Sequence, residues 1–323
     1  MAAKDDDAQD AITAEEISGT APAPAPAPAT SGTSQGAERN AFTELMAPKP
    51  ARAQTQTQTQ TQTPRDIPGP SFLTRQALAA TRGPLTRSFK NRDGLGAYTH
   101  DPAAFPASRV VFYDDDFVAI RDMYPKSSLH CLLLPRAPRS RLHPFDAFGC
   151  AADDGSPTPD AAEAARFLAA VRGATARLAR LVAAELRRRH GRGSAAERAR
   201  QAVLDGSDDP DQQLLPPGRD WEAELLVGVH AHPSMNDLHV HVLAPDMVSE
   251  CMRHRKHYNS FRTPFLIGLD AFPLAPDDPR RHPGRAGYLD TDLRCWRCGR
   301  SFGNRFKQLK DHLADEFELW KSE

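Results

Sequence analysis

An α+β fold, with an antiparallel sheet, helices and a small metal-bound segment at the C-terminus, is what this 323-residue sequence predicts. Three features carry the prediction. Short strand-like runs at 109–113, 117–121 and 130–135 come before any strong helical pattern, one long amphipathic pattern fills 160–190, and strand-like runs return at 222–229 and 238–243. A Cys-x2-Cys pair followed by a His-x3-Glu pair closes the chain.

The elements follow in order. A net charge of −1 and 40% hydrophobic residues conceal an uneven distribution. Residues 21–28 alternate Ala and Pro and residues 55–63 alternate Thr and Gln, so residues 1–70 offer too little apolar surface to offset chain entropy. A disordered low-complexity tail is expected there, then a catalytic domain over 71–275 with an insertion at about 150–220, then a zinc-finger domain over 276–323. The acidic start lacks an apolar signal region, and no run approaches the roughly 20 apolar residues of a membrane span. The expectation is a soluble intracellular protein without a membrane partner, whose Cys131, Cys150 and Cys251 are reduced thiols.

Residues 109–113 and 117–121, separated by Asp114, Asp115 and Asp116, read as a hairpin, and 130–135 reads as a third, largely buried strand stopped by proline. Asp160 with Glu163 reads as a capping box. Phe167, Leu168, Val171, Leu178, Leu181, Val182 and Leu186 then follow with helical spacing as far as Gly191. Arg187, Arg188 and Arg189 suit the C-terminal end of that helix, and residues 192–219 read as a polar, turn-rich surface insertion.

The densest chemistry lies in 230–242, where His230, His232, His239, His241 and Ser234 gather beside a strand. With a period of two, Leu238, Val240 and Val242 take one face while His239 and His241 share the other; Asp237 is read as lying on the face opposite the histidines. Imidazole is nucleophilic toward phosphorus and titrates near neutrality, so one histidine can accept a nucleotidyl group while another handles the leaving group. Ser234 and nearby backbone N–H groups could hold the non-bridging oxygens, with no metal required. The rival is a zinc site built on His239 and His241 with His230 or His232. Covalent histidine chemistry is the reading preferred, because no acidic partner other than Asp237 is in view.

Cys295, Cys298, His312 and Glu316 have the spacing of a structural zinc site, with the last two one helical turn apart. Phe302, Phe306 and Leu309 supply a small core between knuckle and helix. Between the two motifs, residues 251–269 contain no acidic side chain but hold Arg253, His254, Arg255, Lys256, His257 and Arg262, with Tyr258 and Phe261 among them. Basic and aromatic groups together suit DNA ends, and Arg294, Arg297, Arg300, Arg305, Lys307 and Lys310 extend the charge over the finger.

Residues 234–242, Ser-Met-Asn-Asp-Leu-His-Val-His-Val, resemble the histidine-triad (HIT) motif His-φ-His-φ-His-φ-φ in its aprataxin-like form, with Asp237 where the first histidine usually stands. The Asp122-Met-Tyr-Pro-Lys-Ser loop and the strand from His130 resemble the nucleotide-binding half of that family, and the Cys-Cys-His-Glu set resembles its fungal finger. The resemblance implies a HIT-like antiparallel sheet and a nuclear repair hydrolase that removes AMP from 5′-adenylated DNA left by abortive ligation. In this reading His239 attacks phosphorus, His241 orients the phosphate, His230 contacts it and protonates the departing 5′-phosphate, and Ser234 is a further ligand. Asp122 would accept the ribose hydroxyls, Tyr124 would border adenine, and Lys126 and Ser127 would complete the nucleotide site. DNA would meet Arg253, Arg255, Lys256, His257, Arg297 and Lys307; Zn2+ would be structural, and His130 would brace the catalytic strand. Residues 89–98 correspond to a family helix that wedges against the DNA end. The alternatives are a small-molecule dinucleotide or AMP-amide hydrolase of the same superfamily, and a non-catalytic zinc-finger DNA-binding protein.

Overall fold

In the computed structural model the strand-forming runs pair into one six-stranded antiparallel sheet of order β1-β2-β3-β5-β4-β6. The strands are β1 (Val110–Tyr113), β2 (Phe117–Arg121), β3 (His130–Pro135), β4 (Leu226–His230), β5 (Val240–Leu243) and β6 (Leu266–Ile267). The structure describes residues 89–149, 160–206 and 215–323; the expected tail at 1–70 and Cys150 lie outside them.

The hairpin expected at Asp114–Asp116 forms because the Asp114 carboxylate accepts from the backbone N–H groups of Asp116 (3.1 Å) and Phe117 (2.8 Å), a local turn that competes well with extended chain. Every residue of β3 is buried, as its unbroken apolar run predicts for a central strand. β6 approaches β4 so closely that a side chain at Gly228 would meet the Ile267 carbonyl oxygen at 2.5 Å, which requires glycine there.

Val240 and Val242 share a core with Ala119, Cys131 and Leu133 and with Leu168, Val171, Leu178, Val182 and Leu186. Those last five line one stripe of the long helix Ala161–His190, and burial of such side chains stabilises the fold by about 1.5–3 kcal/mol each. To name the helices in chain order, α1 is Gly96–His100, α2 is Ala161–His190, α3 is Ala195–Leu204, α4 is Arg255–Arg262 and α5 is Phe306–Ser322. Leu181 falls off the buried stripe and is exposed.

The expected capping box does not form. Asp160 makes no side-chain cap bond; instead Arg139 reaches both Asp160 (3.0 Å) and Glu163 (3.6 Å), which ties the start of α2 to the preceding loop. Within the insertion, Ala195–Leu204 forms a helix that its polarity does not predict. Ser194 caps α3 through the N–H of Glu197, and Glu197 binds Arg187 (2.9 Å) and the Trp221 indole (3.2 Å), so α3 folds onto the end of α2. Arg188 and Arg189 both reach Glu185 on the helix itself, as helix-end charges do.

A two-stranded ribbon of β7 (Leu293–Arg294) and β8 (Ser301–Gly303) precedes α5. Leu293, Phe302, Leu309 and Leu313 are buried together with Met247, Met252, Tyr258 and Phe261, so the ribbon, α5 and α4 share one small core.

Candidate active site and metal centre

Strand pairing assembles the histidines. His241 on β5 lies opposite Leu132 on β3 and Gly228 on β4, and His230 ends β4, so the ladder brings His130, His230, His239 and His241 to one face of the sheet from segments about a hundred residues apart. The His241 ring lies 4.4 Å from His230, 4.9 Å from His239 and 5.2 Å from His130, centroid to centroid. Phe261 of α4 closes the group, with its ring 4.7 Å from His230, 5.0 Å from His241 and 5.5 Å from His130.

His239 is 5% exposed, and its Nδ1 lies 2.8 Å from the Asp237 carbonyl oxygen. A carbonyl only accepts, so the proton sits on Nδ1 and the lone pair is left on Nε2, the tautomer a nucleophile needs. Burial holds the ring below the usual imidazole range, and it is therefore neutral at neutral pH. Asp237 does not lie on the far face. It has the same parity as His239 and His241, and its carboxylate binds Arg141 at 2.9 Å. The missing acidic partner of the nucleophile is therefore a backbone carbonyl, which residue type cannot reveal.

His241 is set by a chain of bonds. The Lys126 backbone N–H donates to His130 Nδ1 (3.2 Å), and His130 Nε2 meets His241 Nδ1 at 3.0 Å. In the neutral ring whose Nδ1 accepts from Lys126, Nε2 donates and His241 carries its own proton on Nε2, a buried atom with no partner among the described residues, whereas a proton on Nδ1 would turn His130 to the Asp122 carboxylate 3.2 Å away. A neutral imidazole can in this way present a donor to a phosphate oxygen. Burial lowers His130 to about 4 and pushes His230 and His241 well below the ordinary value, and each ring also lies close to other basic groups. An anion bound between them would reverse that order and raise all three.

The expected nucleotide loop is tied by hydrogen bonds. Asp122 accepts from the Tyr124 N–H (2.8 Å) and faces His130 Nδ1 at 3.2 Å, while Tyr124 is half exposed. Lys126 sits among Asp122, Cys251 and Arg253, and burial lowers its pKa. Ser127 is buried, and its hydroxyl donates to the Leu129 carbonyl at 2.8 Å, a bond that ties the loop. One residue that the sequence left unremarked fixes the same loop. The buried Asp246 accepts from the Ser128 N–H (2.9 Å) and hydroxyl (2.6 Å). Ser234 lies exposed in the loop between β4 and β5.

Asp122, His130 and His241 also bring ligand atoms within 4.8 Å of one another. This is a different set from the expected zinc site on His239 and His241 with His230 or His232, and a metal on it would have to break the chain just described, because both ring nitrogens of His130 are engaged there.

The aromatic residues of the basic segment are a correction. Tyr258 and Phe261 do not face outward; both are buried, and the Tyr258 hydroxyl donates to the Arg294 carbonyl at 2.7 Å. Their three-residue spacing puts them on the core side of α4, a signal that the flanking cations masked. Of the expected DNA contacts, Arg253 is exposed, and Lys307 is exposed beside Asp311 at 3.1 Å. Arg255 and Lys256 both turn toward Asp290, and His257 accepts from the Arg253 N–H at 3.2 Å with its ring lowered to about 3 by burial. Arg297 binds Glu316 (2.5 Å) and Glu323, which makes it a strut of the finger.

Cys295, Cys298, His312 and Glu316 converge, with all four ligand atoms within 4.8 Å of one another. Cys298 Sγ and Glu316 Oε1 each lie 3.2 Å from His312 Nε2. Tetrahedral zinc at its usual bond lengths needs ligand separations of about 3.6 Å, so the soft and borderline donors fit that ion. Arg297 takes the second oxygen of Glu316 and lowers its pKa, which leaves Oε1 to the metal side as a carboxylate.

The sequence matches the HIT domain over residues 106–248 and the C2HE / C2H2 / C2HC zinc-binding finger over residues 262–319. It is 32% identical to an aprataxin-like protein of Schizosaccharomyces pombe across 71% of this chain and 82% of that protein. Against an aprataxin-like protein of Saccharomyces cerevisiae it is again 32% identical, across 70% of this chain and 95% of the other. Among solved structures, the aprataxin ortholog Hnt3 in complex with DNA is 29% identical, with a TM-score of 0.50 over 71% of this chain and 96% of that one. Hnt3 in complex with DNA and guanosine is 30% identical with the same TM-score and coverage.

Proposed function

We propose that this chain, which belongs to the aprataxin-like branch of the histidine-triad family, removes AMP from 5′-adenylated DNA. The observation that carries the reading is the His239 ring, buried, neutral and turned by the Asp237 carbonyl so that Nε2 is free to attack. A HIT domain and a C2HE finger in one chain, and a relative solved with DNA bound, support a polynucleotide substrate over a free dinucleotide.

In this reading His239 Nε2 attacks the AMP phosphorus, the bond from that phosphorus to the bridging oxygen breaks, and the DNA 5′-phosphate leaves. The electron pair stays on the departing oxygen, where a proton from His230 neutralises it. Water then attacks the histidine–AMP phosphoramidate, returning His239 and releasing AMP. His241 donates through Nε2 to a non-bridging oxygen, and Ser234 and Lys126 hold the remaining charge. Asp122 and Tyr124 border the nucleoside. The lowered pKa values of the free site rise as the phosphate enters, so His230 acquires its proton together with the substrate.

The four finger residues would hold zinc, which supplies the crosslink between knuckle and helix that so small a segment needs in order to fold. Of the residues expected to meet DNA phosphates, Arg253 and Lys307 are exposed, as are Arg294, Arg300 and Arg305 on the finger, with Arg255, Lys256 and His257 as a partly engaged second rank. Such a substrate places the enzyme in the nucleus, in repair of abortive ligation.

The test is a nicked duplex carrying 5′-AMP. Wild type releases AMP, and brief quenching traps an AMP adduct on His239 that mass spectrometry locates. His239→Ala loses release by about 10⁴-fold. DNA binding without release by wild type would leave a binding module in place of an enzyme.

A further inference from the structure

We propose that Asp237, Arg141 and Asp93 form a positioning bridge for His239, and that this bridge does the work of the histidine the triad motif carries at its first position. The inference rests on the deadenylation reading above. The ladder of β5 begins at Val240, so the peptides on either side of Asp237 are not held by sheet pairing. They are held from outside. Leu238 N–H donates to the Ser140 carbonyl at 2.6 Å, and Asn236 N–H donates to the Arg92 carbonyl at 2.9 Å. Between those anchors Arg141 Nη1 binds Asp237 Oδ1 at 2.9 Å while its Nη2 binds Asp93 Oδ1 at 2.6 Å. The Asn236 side-chain amide donates to the same Asp93 oxygen at 3.0 Å.

The direction of the Asp237 carbonyl decides where His239 Nε2 points, since that carbonyl holds Nδ1. Misplacing a reacting atom by a fraction of an ångström is costly to a displacement at phosphorus. Asp237 is 3% exposed, and Gly96 lies against it: a side chain there would stand 3.5 Å from its Oδ2 and 2.7 Å from the Phe89 ring. A carboxylate in so enclosed a place needs a cation, and Arg141 supplies it. A neutral imidazole at 237 would leave that guanidinium without its buried partner. Asp237 and Arg141 therefore act as one pair. The outer pair, Arg141 with Asp93, is nearly half exposed on both sides, so its loss costs folding little and its effect falls on geometry.

The experiment uses the full chain with Asp237→Asn, Arg141→Gln, Arg141→Lys, Asp93→Asn and the Asp237→Asn/Arg141→Gln double variant. With a small AMP-amide substrate, Asp237→Asn and Arg141→Gln each lower kcat by about tenfold and leave KM within about twofold. The double variant is no worse than the poorer single, Arg141→Lys recovers part of the loss, and Asp93→Asn shows a smaller fall in the same parameter. The 15N-labelled imidazole gives a readout independent of turnover: the Nδ1–H signal of His239 is sharp in wild type and in Arg141→Lys, and broadened in Asp237→Asn and Arg141→Gln. Additive losses, a change confined to KM for DNA, or an Nδ1–H signal indifferent to all variants would overturn the bridge. Wild type that releases no AMP while the signal still responds strikes the deadenylation reading and leaves the bridge standing.

Discussion

The histidine site and the finger hold their functional groups by opposite means. In the histidine site the groups sit on or beside central strands whose ladder, and the core beneath Val240 and Val242, fix them before any ligand arrives. In the finger, four donors are gathered by a two-stranded ribbon and one helix, with a core of a few buried side chains. The first can be preorganised by hydrogen bonds alone, whereas the second needs its metal to offset the entropy of ordering. The two are nonetheless joined. α4 packs Phe261 on the histidines and sends the Tyr258 hydroxyl and the Asn259 amide to the carbonyls of Arg294, Leu289 and Thr291, on the approach to Cys295. At the far end of α5, Arg219 lies between the Trp221 and Trp320 rings at 4.1 and 4.7 Å and pairs with Glu224 at 2.7 Å.

Removing the metal tests that contrast most strongly. Chelation, or Cys298→Ser, is expected to lower kcat/KM on adenylated DNA by about 100-fold and on an AMP-amide by less than about tenfold. Equal losses in steady-state assays on both substrates would mean that α4 transmits the state of the finger to the histidines, and the two regions would then be one.

A smaller effect is expected from Arg219→Ala, which removes a buried cation from two aromatic faces and from Glu224. It should cost about 2 kcal/mol in urea unfolding and leave the chelation-sensitive ratio of the two activities unchanged. A change in that ratio would assign the docking of α5, rather than the metal, as what separates the regions.

The smallest effect distinguishes the histidine site by its titration. His130 is held at about 4 against an ordinary 6.5, so the folded state binds fewer protons than the unfolded chain between those values. Stability is full above pH 6.5 and falls as pH drops toward 4, by about 1–2 kcal/mol at pH 5 from this group. Denaturant titrations at pH 7 and pH 5 check it. His130→Gln, which cannot charge, should remove about 1–2 kcal/mol of the difference between the two pH values and leave the share that His230 and His241 contribute, and an unchanged difference would place it wholly in the other buried histidines.

Much of both regions was legible in residue order, and the failures share one cause. The parity of His239 and His241, the four-residue step from His312 to Glu316 and the turn at Asp114 are properties of a few consecutive residues. Tyr258 and Phe261 misled because a local reading sees their cationic neighbours and not the core behind them. The partners of Ser127 and Arg297, the Leu129 carbonyl and the Glu316 carboxylate, were not legible because such pairings cannot be assigned from side-chain type.

By itself the sequence determined the first five strands and the long helix, the shared face of the two strand histidines and the four finger donors, because backbone periods of 2 and 3.6 are imposed by local geometry. Only the tertiary structure decided that His130 turns His241, that a carbonyl rather than a carboxylate turns His239, and that Arg141 answers Asp237. Those contacts join residues 96 to 111 positions apart, except for the carbonyl two residues before His239, whose direction depends on anchors at 92 and 140. Chain pairing, and not composition, brings such groups within hydrogen-bonding distance.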